Sequence, residues 1–469
     1  ILTIRSVGEG GGWTVSESQR VELYEQLGRL NPGYIDIELA TWSRSAELRR
    51  RIGPLVGVHS DSPEPGRPPN QLILSCHDLQ AVPADLERWV EPLLRSPAAV
   101  AKLAVTPRDA ADAWRVLSLL SRHSGARRLI ALALGEAGRL TRVLAGKFGG
   151  FLTFAALEAG GESAPGQPVV RELLETYRWR ELGSATRVYG VVGWPAAQSR
   201  GPQVHNAAMR AAAIDGVYVP MPVAPAYADF AAFMDLLTAR PELDVAGLSV
   251  TIPHKQHALR WLDEHGFPVS PVARRCKAVN TLTREAAGKW AGDNTDATGV
   301  LAALSTVPGL LAGASAGRGA AVLGAGGAAR AAIAALLDRG WRVTVFNRTA
   351  DRAMALAAEL GCDWRPWEDR AKGYADLIVN CTSVGMHPEV DATPVPADAL
   401  HPGRVVFDAV YTPSETRLLR EARERGCVAV SGVEMFLAQA AAQFERWHGC
   451  PAPIERMRHG LSAPDAGGR

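Results

Sequence analysis

Residues 320–330 read AAVLGAGGAAR. An apolar run enters a turn of Gly324, Ala325, Gly326 and Gly327, then continues as a helix from about Ala328 to Arg339. The next apolar run, Arg342–Phe346, ends at Asn347-Arg348-Thr349. Strand, glycine turn, helix and strand in that order predict a dinucleotide-binding unit centred on Gly319–Val410. The glycines let backbone approach a pyrophosphate, and the helix aims its free N–H groups at it.

The end of the second strand selects the cofactor. An NAD reader usually places an acid there for the ribose hydroxyls. Here stand Asn347, Arg348, Thr349 and Arg352, two guanidinium groups and a hydroxyl that suit a 2′-phosphate. The expectation is NADP(H).

Charge and cysteine content exclude other classes. The chain has 469 residues, about three domains' worth. Its net charge of +2 gives no basic footprint for nucleic acid. The longest uncharged stretch, 297–317, holds Pro308, glycines and hydroxyl residues. It reads as helix, turn and loop rather than a membrane span. The six cysteines include no CxxC and read as reduced thiols in a cytoplasmic protein. His254 and His257 lack acidic or Cys companions, so no metal is expected.

Before residue 184, six short apolar runs alternate with amphipathic segments: Ile1–Arg5, Tyr34–Leu39, Leu72–Cys76, Val100–Val105, Arg128–Leu134 and Gly149–Ala155. This βα alternation predicts parallel strands with helices outside, as in a barrel. Pro54–Asn70 reads as a loop. Lys102 sits inside the run Val100–Val105, where its charge is costly. Desolvation makes a lysine nucleophilic toward carbonyls. His77 lies near a strand end, suited to proton transfer beside an imine. Cys76 points to the opposite face from His77. The alternative reading of Lys102 is a snorkelling edge-strand lysine.

A further unit opens with VYGVVG at 188–193. SVTIPHK at 249–255 ends on Lys255, and GDNTD at 292–296 ends on Asp296. A Lys–Asp pair can serve a ketone or alcohol, the lysine donating a proton to a developing alkoxide. Singly, Lys255 reads as a surface lysine and Asp296 as a helix N-cap.

The motifs GWPAAQSRGPQVHN (193–206), SVTIPHK, AVNTL (278–282), GDNTD, LGAGGAAR, NRT, NCTSVGM (380–386), DAVYTPSETRLL (408–419) and GVEMFLAQAAAQFERW (432–447) occur in one order. Together they resemble shikimate dehydrogenase across residues 187–455. The resemblance implies Lys255 and Asp296 as the catalytic pair. It implies Ser199, Thr251, Asn280, Tyr411 and Gln439 around shikimate, and Gly324 to Ala328 with Gly432 at the cofactor. The family's SxSP motif reads Ser199-Arg200-Gly201-Pro202 here, so its second serine is missing. Ser249 replaces a common Asn, a variation that resembles the plant bifunctional enzymes.

In the first half TIRSVGEGG (3–11), YIDIEL (34–39), ILSCHD (73–78), VAKLAV (100–105), Thr141-Arg142 and SAPGQ (163–167) resemble type I 3-dehydroquinate dehydratase. That family is a (β/α)8 barrel. The resemblance implies Lys102 as the Schiff-base residue and His77 as general acid/base. Arg5, Glu38, Arg142, Ser163 and Gln167 would hold the substrate, all at or just after strand C-terminal ends. Six strands imply that the first two βα units are absent. The sequence, opening on Ile1, is expected to be a piece clipped at its N-terminus.

The expected architecture is therefore α/β. An incomplete barrel (1–184) precedes a two-lobed dehydrogenase: a substrate lobe (187–291), a Rossmann NADP-binding lobe (292–430), returning helices (431–455) and a fraying tail (456–469). The expected function is dehydration of 3-dehydroquinate followed by NADPH-dependent reduction to shikimate, in the cytoplasm. The expected partners are small molecules, not nucleic acid or membrane. The alternatives are a working dehydrogenase on a scaffold barrel, or a quinate/shikimate dehydrogenase.

Overall fold

A computed structural model describes residues 1–12, 14–57, 70–123, 125–196, 198–285, 288–311, 317–372 and 375–462. Most of the Pro54–Asn70 segment lies outside the described residues. The chain forms two compact units. One contains Ile1–Thr186 with Asp215–Ala224; the other contains Arg187–Ile214 and Pro225–Ala463.

The first unit carries five parallel strands in chain order: β1 (Leu2–Thr3), β2 (Tyr34–Glu38), β3 (Gln71–Asp78), β4 (Val100–Val105) and β5 (Leu129–Ala133). The alternation of a strand sorts its side chains between two faces. Ile73, Val100, Ala104, Ile130 and Leu132 pack together on one, with Phe151 and Phe154 against them. That face also carries Asp36, Glu38, Ser75, His77 and Lys102. The other packs under helices such as Ala110–His123, whose Trp114 and Leu117 are buried.

The sixth apolar run, Gly149–Ala155, is not a strand. Phe151 N–H donates to the Leu129 carbonyl at 2.9 Å, but no ladder follows. Its phenylalanines fill the core instead. The strand β7 (Gly216–Pro222) belongs to the first unit, where Arg178 Nη2 donates to the Gly216 carbonyl.

The second unit opens with β6 (Arg187–Gly193), and its first sheet runs β10-β9-β8-β6. Here β8 is Val245–Val250, β9 Thr281–Arg284 and β10 Trp290–Asp293. β6 and β8 are parallel; β8, β9 and β10 are antiparallel. Its other sheet is fully parallel: β11 (Gly319–Leu323), β12 (Arg342–Phe346), β13 (Asp363–Arg365), β14 (Leu377–Asn380), β15 (Val405–Asp408) and β16 (Val428–Ser431). The spatial order β13-β12-β11-β14-β15-β16 is the doubly wound Rossmann order. Its direction reverses beside β11, so a ligand crevice opens at the carboxyl end of that strand. Helices Asp296–Ser305 and Gly327–Leu337 bury Val300, Leu304, Ile333 and Leu336 against this sheet.

The polar tail is more ordered than its composition predicts. Ile454–Ser462 is a helix with Met457 buried. Gly460 lies so close to the helix Gly201–Ala211 that a Cβ would stand 2.6 Å from the Gln203 carbonyl oxygen. Residues 463–469 lie outside the described residues. No described helix is long and apolar enough to cross a membrane.

Candidate active sites

On the first unit's polar face, Lys102 is 8% exposed. Its Nζ donates to Asp36 Oδ2 at 2.6 Å and lies 5.0 Å from the Phe154 ring centre. Asp36 also accepts from Arg5 Nη2 at 2.8 Å and from the Ser75 hydroxyl at 2.6 Å. Burial opposes ionisation of Asp36, but Lys102 and Arg5 outweigh it and hold the carboxyl at about 2. Burial pulls the Lys102 ammonium below its ordinary range, against the pull of Asp36. The positive charges of Arg5 and Arg142 push it the same way.

His77 Nδ1 pairs with Glu9 Oε2 at 2.7 Å. Burial lowers this imidazole, and Glu9 partly restores it. The arrangement is a base with its orienting acid, leaving the other ring nitrogen for a proton transfer.

Arg142 is on the helix Gly135–Leu144, not at a strand end as expected. It is 1% exposed. Its Nε and Nη2 have no hydrogen-bond partner. Burial alone pulls its guanidinium down to about 10. A buried cation with unpaired donors is costly and suits an arriving anion. Ser163 and Gln167 meet each other in the following loop: Ser163 N–H donates to Gln167 Oε1 at 2.8 Å. Glu38 is fully buried, taking Arg20 at 2.6 Å and the Ser6 N–H at 2.7 Å. Asp36, one alternation earlier on β2, holds the place beside the lysine.

In the second unit, Lys255 opens the helix Lys255–Glu264 and Asp296 opens Asp296–Ser305. Lys255 Nζ donates to Asp296 Oδ2 at 2.5 Å. Asn280 Nδ2 donates to Asp296 Oδ1 at 2.8 Å. Gly327 lies under the lysine stem: a Cβ there would meet Lys255 Cδ at 2.5 Å. The glycine turn and the Lys–Asp pair therefore share one crevice.

The remaining expected residues fall in three groups. Ser199 Oγ accepts from the Gly201 N–H at 3.1 Å, at the head of the helix Gly201–Ala211. Tyr411 accepts from the Arg200 backbone N–H and stacks on Phe436 at 4.3 Å. Phe436 shares the helix Gly432–His448 with Gln439, whose Nε2 donates to the Phe436 carbonyl. Thr251 lies beside Gly193, its N–H donating to the Val192 carbonyl at 2.8 Å.

At the glycine turn Gly324 has φ +108°, a left-handed conformation, and lies against the Cys381 carbonyl. Ala325 and Ala328 flank Gly326 and Gly327 there. The space where a Gly326 Cβ would project is open to 4 Å, as a pyrophosphate at this helix N-terminus requires. Arg348, Thr349 and Arg352 are exposed at the end of β12, beside Asn347. Gly432 packs against the backbone of Ala409 and Val410.

Sequence reasoning missed Glu9 and Asp36. Asp36 carried a signal: in YIDIE two acids occupy the same face of one buried strand. Glu9 carried none, because it reaches His77 from the short 3-10 turn Val7–Glu9.

Comparison with known proteins follows the same division. The type I 3-dehydroquinase family matches residues 1–184. The shikimate dehydrogenase substrate binding domain matches 191–282, the shikimate/quinate 5-dehydrogenase family 311–386, and the shikimate 5′-dehydrogenase C-terminal domain 432–459. The chloroplastic bifunctional 3-dehydroquinate dehydratase/shikimate dehydrogenase of Arabidopsis thaliana is 38% identical, over 97% of this chain and 74% of that protein. The NADP(+) shikimate dehydrogenase of Halorubrum lacusprofundi is 45% identical, over 59% of this chain and 98% of its own. Among solved structures, the Thermus thermophilus shikimate 5-dehydrogenase with NADP(H) and shikimate is 35% identical at a TM-score of 0.51, covering 59% of this chain and 98% of that one. Quinate dehydrogenase of Corynebacterium glutamicum with NAD is 30% identical at 0.51, with coverage of 59% and 98%. A dehydratase unit built on a parallel sheet is thus followed by a Rossmann dehydrogenase in one polypeptide, and the chain belongs to the bifunctional 3-dehydroquinate dehydratase/shikimate dehydrogenase family.

Proposed function

We propose that the first unit dehydrates 3-dehydroquinate and the second reduces the resulting 3-dehydroshikimate to shikimate with NADPH. Lys102 Nζ adds to the substrate ketone and water leaves, giving an iminium. The iminium withdraws electrons from the neighbouring carbon, and His77, held by Glu9, takes a proton from it. The adjacent hydroxyl departs as water with the proton His77 returns, and hydrolysis frees the lysine. Asp36 and Ser75 position the amine. Arg142 takes the substrate carboxylate, and Arg5, Ser163 and Gln167 take its hydroxyls. Glu38 acts through Arg5 and Arg20.

In the second unit, bound NADPH supplies the hydride. Lys255 donates a proton to the ketone oxygen and Asp296 orients the lysine. Gly324 to Ala328 would hold the pyrophosphate, Asn347, Arg348, Thr349 and Arg352 would take the 2′-phosphate, and Gly432 would border the cofactor. Ser199, Thr251, Tyr411 and Gln439 hold the substrate, and Asn280 sits behind Asp296.

The observation that carries the reading is a desolvated lysine sharing its unit with Arg142, whose Nε and Nη2 are unpaired, and a Lys255–Asp296 pair on the glycine turn in the other. The test supplies 3-dehydroquinate, traps with borohydride, and follows NADPH-dependent shikimate formation. An adduct on Lys102 together with shikimate supports both steps. Reduction of separately supplied 3-dehydroshikimate, without an adduct, leaves the dehydrogenase alone.

Gly201 favours a second reading. Where the family motif has a serine, this chain has no side chain at the carboxylate end. Quinate carries an extra hydroxyl at the carbon bearing its carboxylate, and the absent hydroxymethyl leaves room for it. A quinate rate matching that for shikimate supports this reading.

A further inference from the structure

Asn280 is 2% exposed, and its side chain is surrounded by protein partners. The Thr295 backbone N–H, which only donates, points at Asn280 Oδ1 from 2.8 Å. That fixes the oxygen end of the amide. Nδ2 then faces Asp296 Oδ1 at 2.8 Å and Thr295 Oγ1 at 3.1 Å, engaging both its hydrogens.

The same reasoning runs outward. Gln443 is 1% exposed on the helix Gly432–His448. Its Nε2 lies 3.2 Å from the Asn280 carbonyl oxygen, which only accepts, so this end of the amide is the donor. Nε2 also donates to Thr281 Oγ1 at 3.1 Å. Thr281 must therefore direct its own hydrogen elsewhere, and Asn280 Oδ1 lies 2.8 Å away. The Ser249 hydroxyl donates to Gln443 Oε1 at 2.7 Å. At each step one hydrogen points the same way, from Ser249 through Gln443, Thr281 and Asn280 to Asp296. Such chains polarise one another and hold their last acceptor in a single orientation.

We propose that Thr281 and Gln443 are positioning residues for the reduction: through Asn280 they fix the carboxylate of Asp296, and so the ammonium of Lys255. This rests on the reading of Lys255 and Asp296 as the reacting pair.

The test uses the full chain with 3-dehydroshikimate and NADPH. Thr281→Val keeps shape but removes the hydroxyl, and Thr281→Ser restores it. The expected result is a kcat about tenfold lower for the valine variant with KM within about twofold, and recovery of most of that kcat in the serine variant. Gln443→Leu should show the same split. NADPH binding, followed by its fluorescence, reports the fold independently of chemistry. A valine variant with undiminished kcat overturns the proposal. So does a loss confined to KM, or a serine variant no better than valine. If the valine variant does not fold, Ser249→Ala decides: kcat lowered about threefold supports the chain, and unchanged kcat overturns it. A wild-type protein unable to reduce 3-dehydroshikimate removes the underlying reading instead.

Discussion

Lys255 lies across Gly327, with only 2.5 Å between the lysine Cδ and the place where a Cβ at residue 327 would be. The Lys255–Asp296 pair and the glycine turn are thus in van der Waals contact. Gly327→Ala must displace the lysine from Asp296, so kcat for the reduction should fall about 10²-fold. Gly326→Ala meets no protein atom within 4 Å and fills cofactor space instead. It should raise KM for NADPH while leaving kcat nearly intact. Steady-state kinetics of the two variants separate these effects.

Arg142 is buried with Nε and Nη2 unpaired. Replacing a buried charge by an apolar side chain of similar volume often stabilises a fold by about 1–4 kcal/mol. Arg142→Met should therefore raise the denaturation midpoint while raising KM for 3-dehydroquinate about 10²-fold. A variant that loses both stability and affinity would show that the guanidinium is structural.

His77 is lowered from its ordinary 6.5 by burial, and Glu9 opposes that shift. The folded state therefore favours neutral imidazole. Between the two titrations the unfolded chain binds more protons, so this contribution to stability is complete above pH 6.5 and lost as pH falls. The acid limb of dehydratase kcat/KM should lie below the usual imidazole range. Glu9→Gln should move that limb lower still and slow dehydration about tenfold. An unmoved limb in the pH profile would detach Glu9 from proton transfer.

Gly201 replaces the serine of the family motif. Gly201→Ser should lower KM for shikimate by about 10- to 100-fold, the value of one hydrogen bond to a charged group. Turnover of quinate, if present, should fall. Competition between the two acids measures the ratio directly.

Arg348 is exposed beside the end of β12. Arg348→Asp should raise KM for NADPH by about 10²-fold and leave NADH use nearly unchanged, because only the former carries the 2′-phosphate. Equal loss with both cofactors would exclude this role.

Much of this was legible in the sequence because its signals are local. The turn at Gly324–Gly327 and the strand that follows it are adjacent in the chain. The alternation in VAKLAV puts Lys102 on the face that His77 shares. The misses needed tertiary information. Gly149–Ala155 has strand composition, but its one backbone bond to Leu129 leaves it as core filling. The helix Ile454–Ser462 buries a methionine and a glycine, too few to show as an apolar stripe. Glu9 is four residues from Arg5 in sequence, yet its partner is His77. The donor chain ending on Asp296 joins two strands and two helices, so no spacing along the chain announces it.

The unpaired nitrogens of Arg142 have one more consequence. A carboxylate that pairs with them binds only the folded chain, so the metabolite acts as a folding ligand. Enzyme in a cell rich in that acid would resist proteolysis longer than enzyme in a starved one. Flux into the pathway would then set the lifetime of the catalyst as well as its rate.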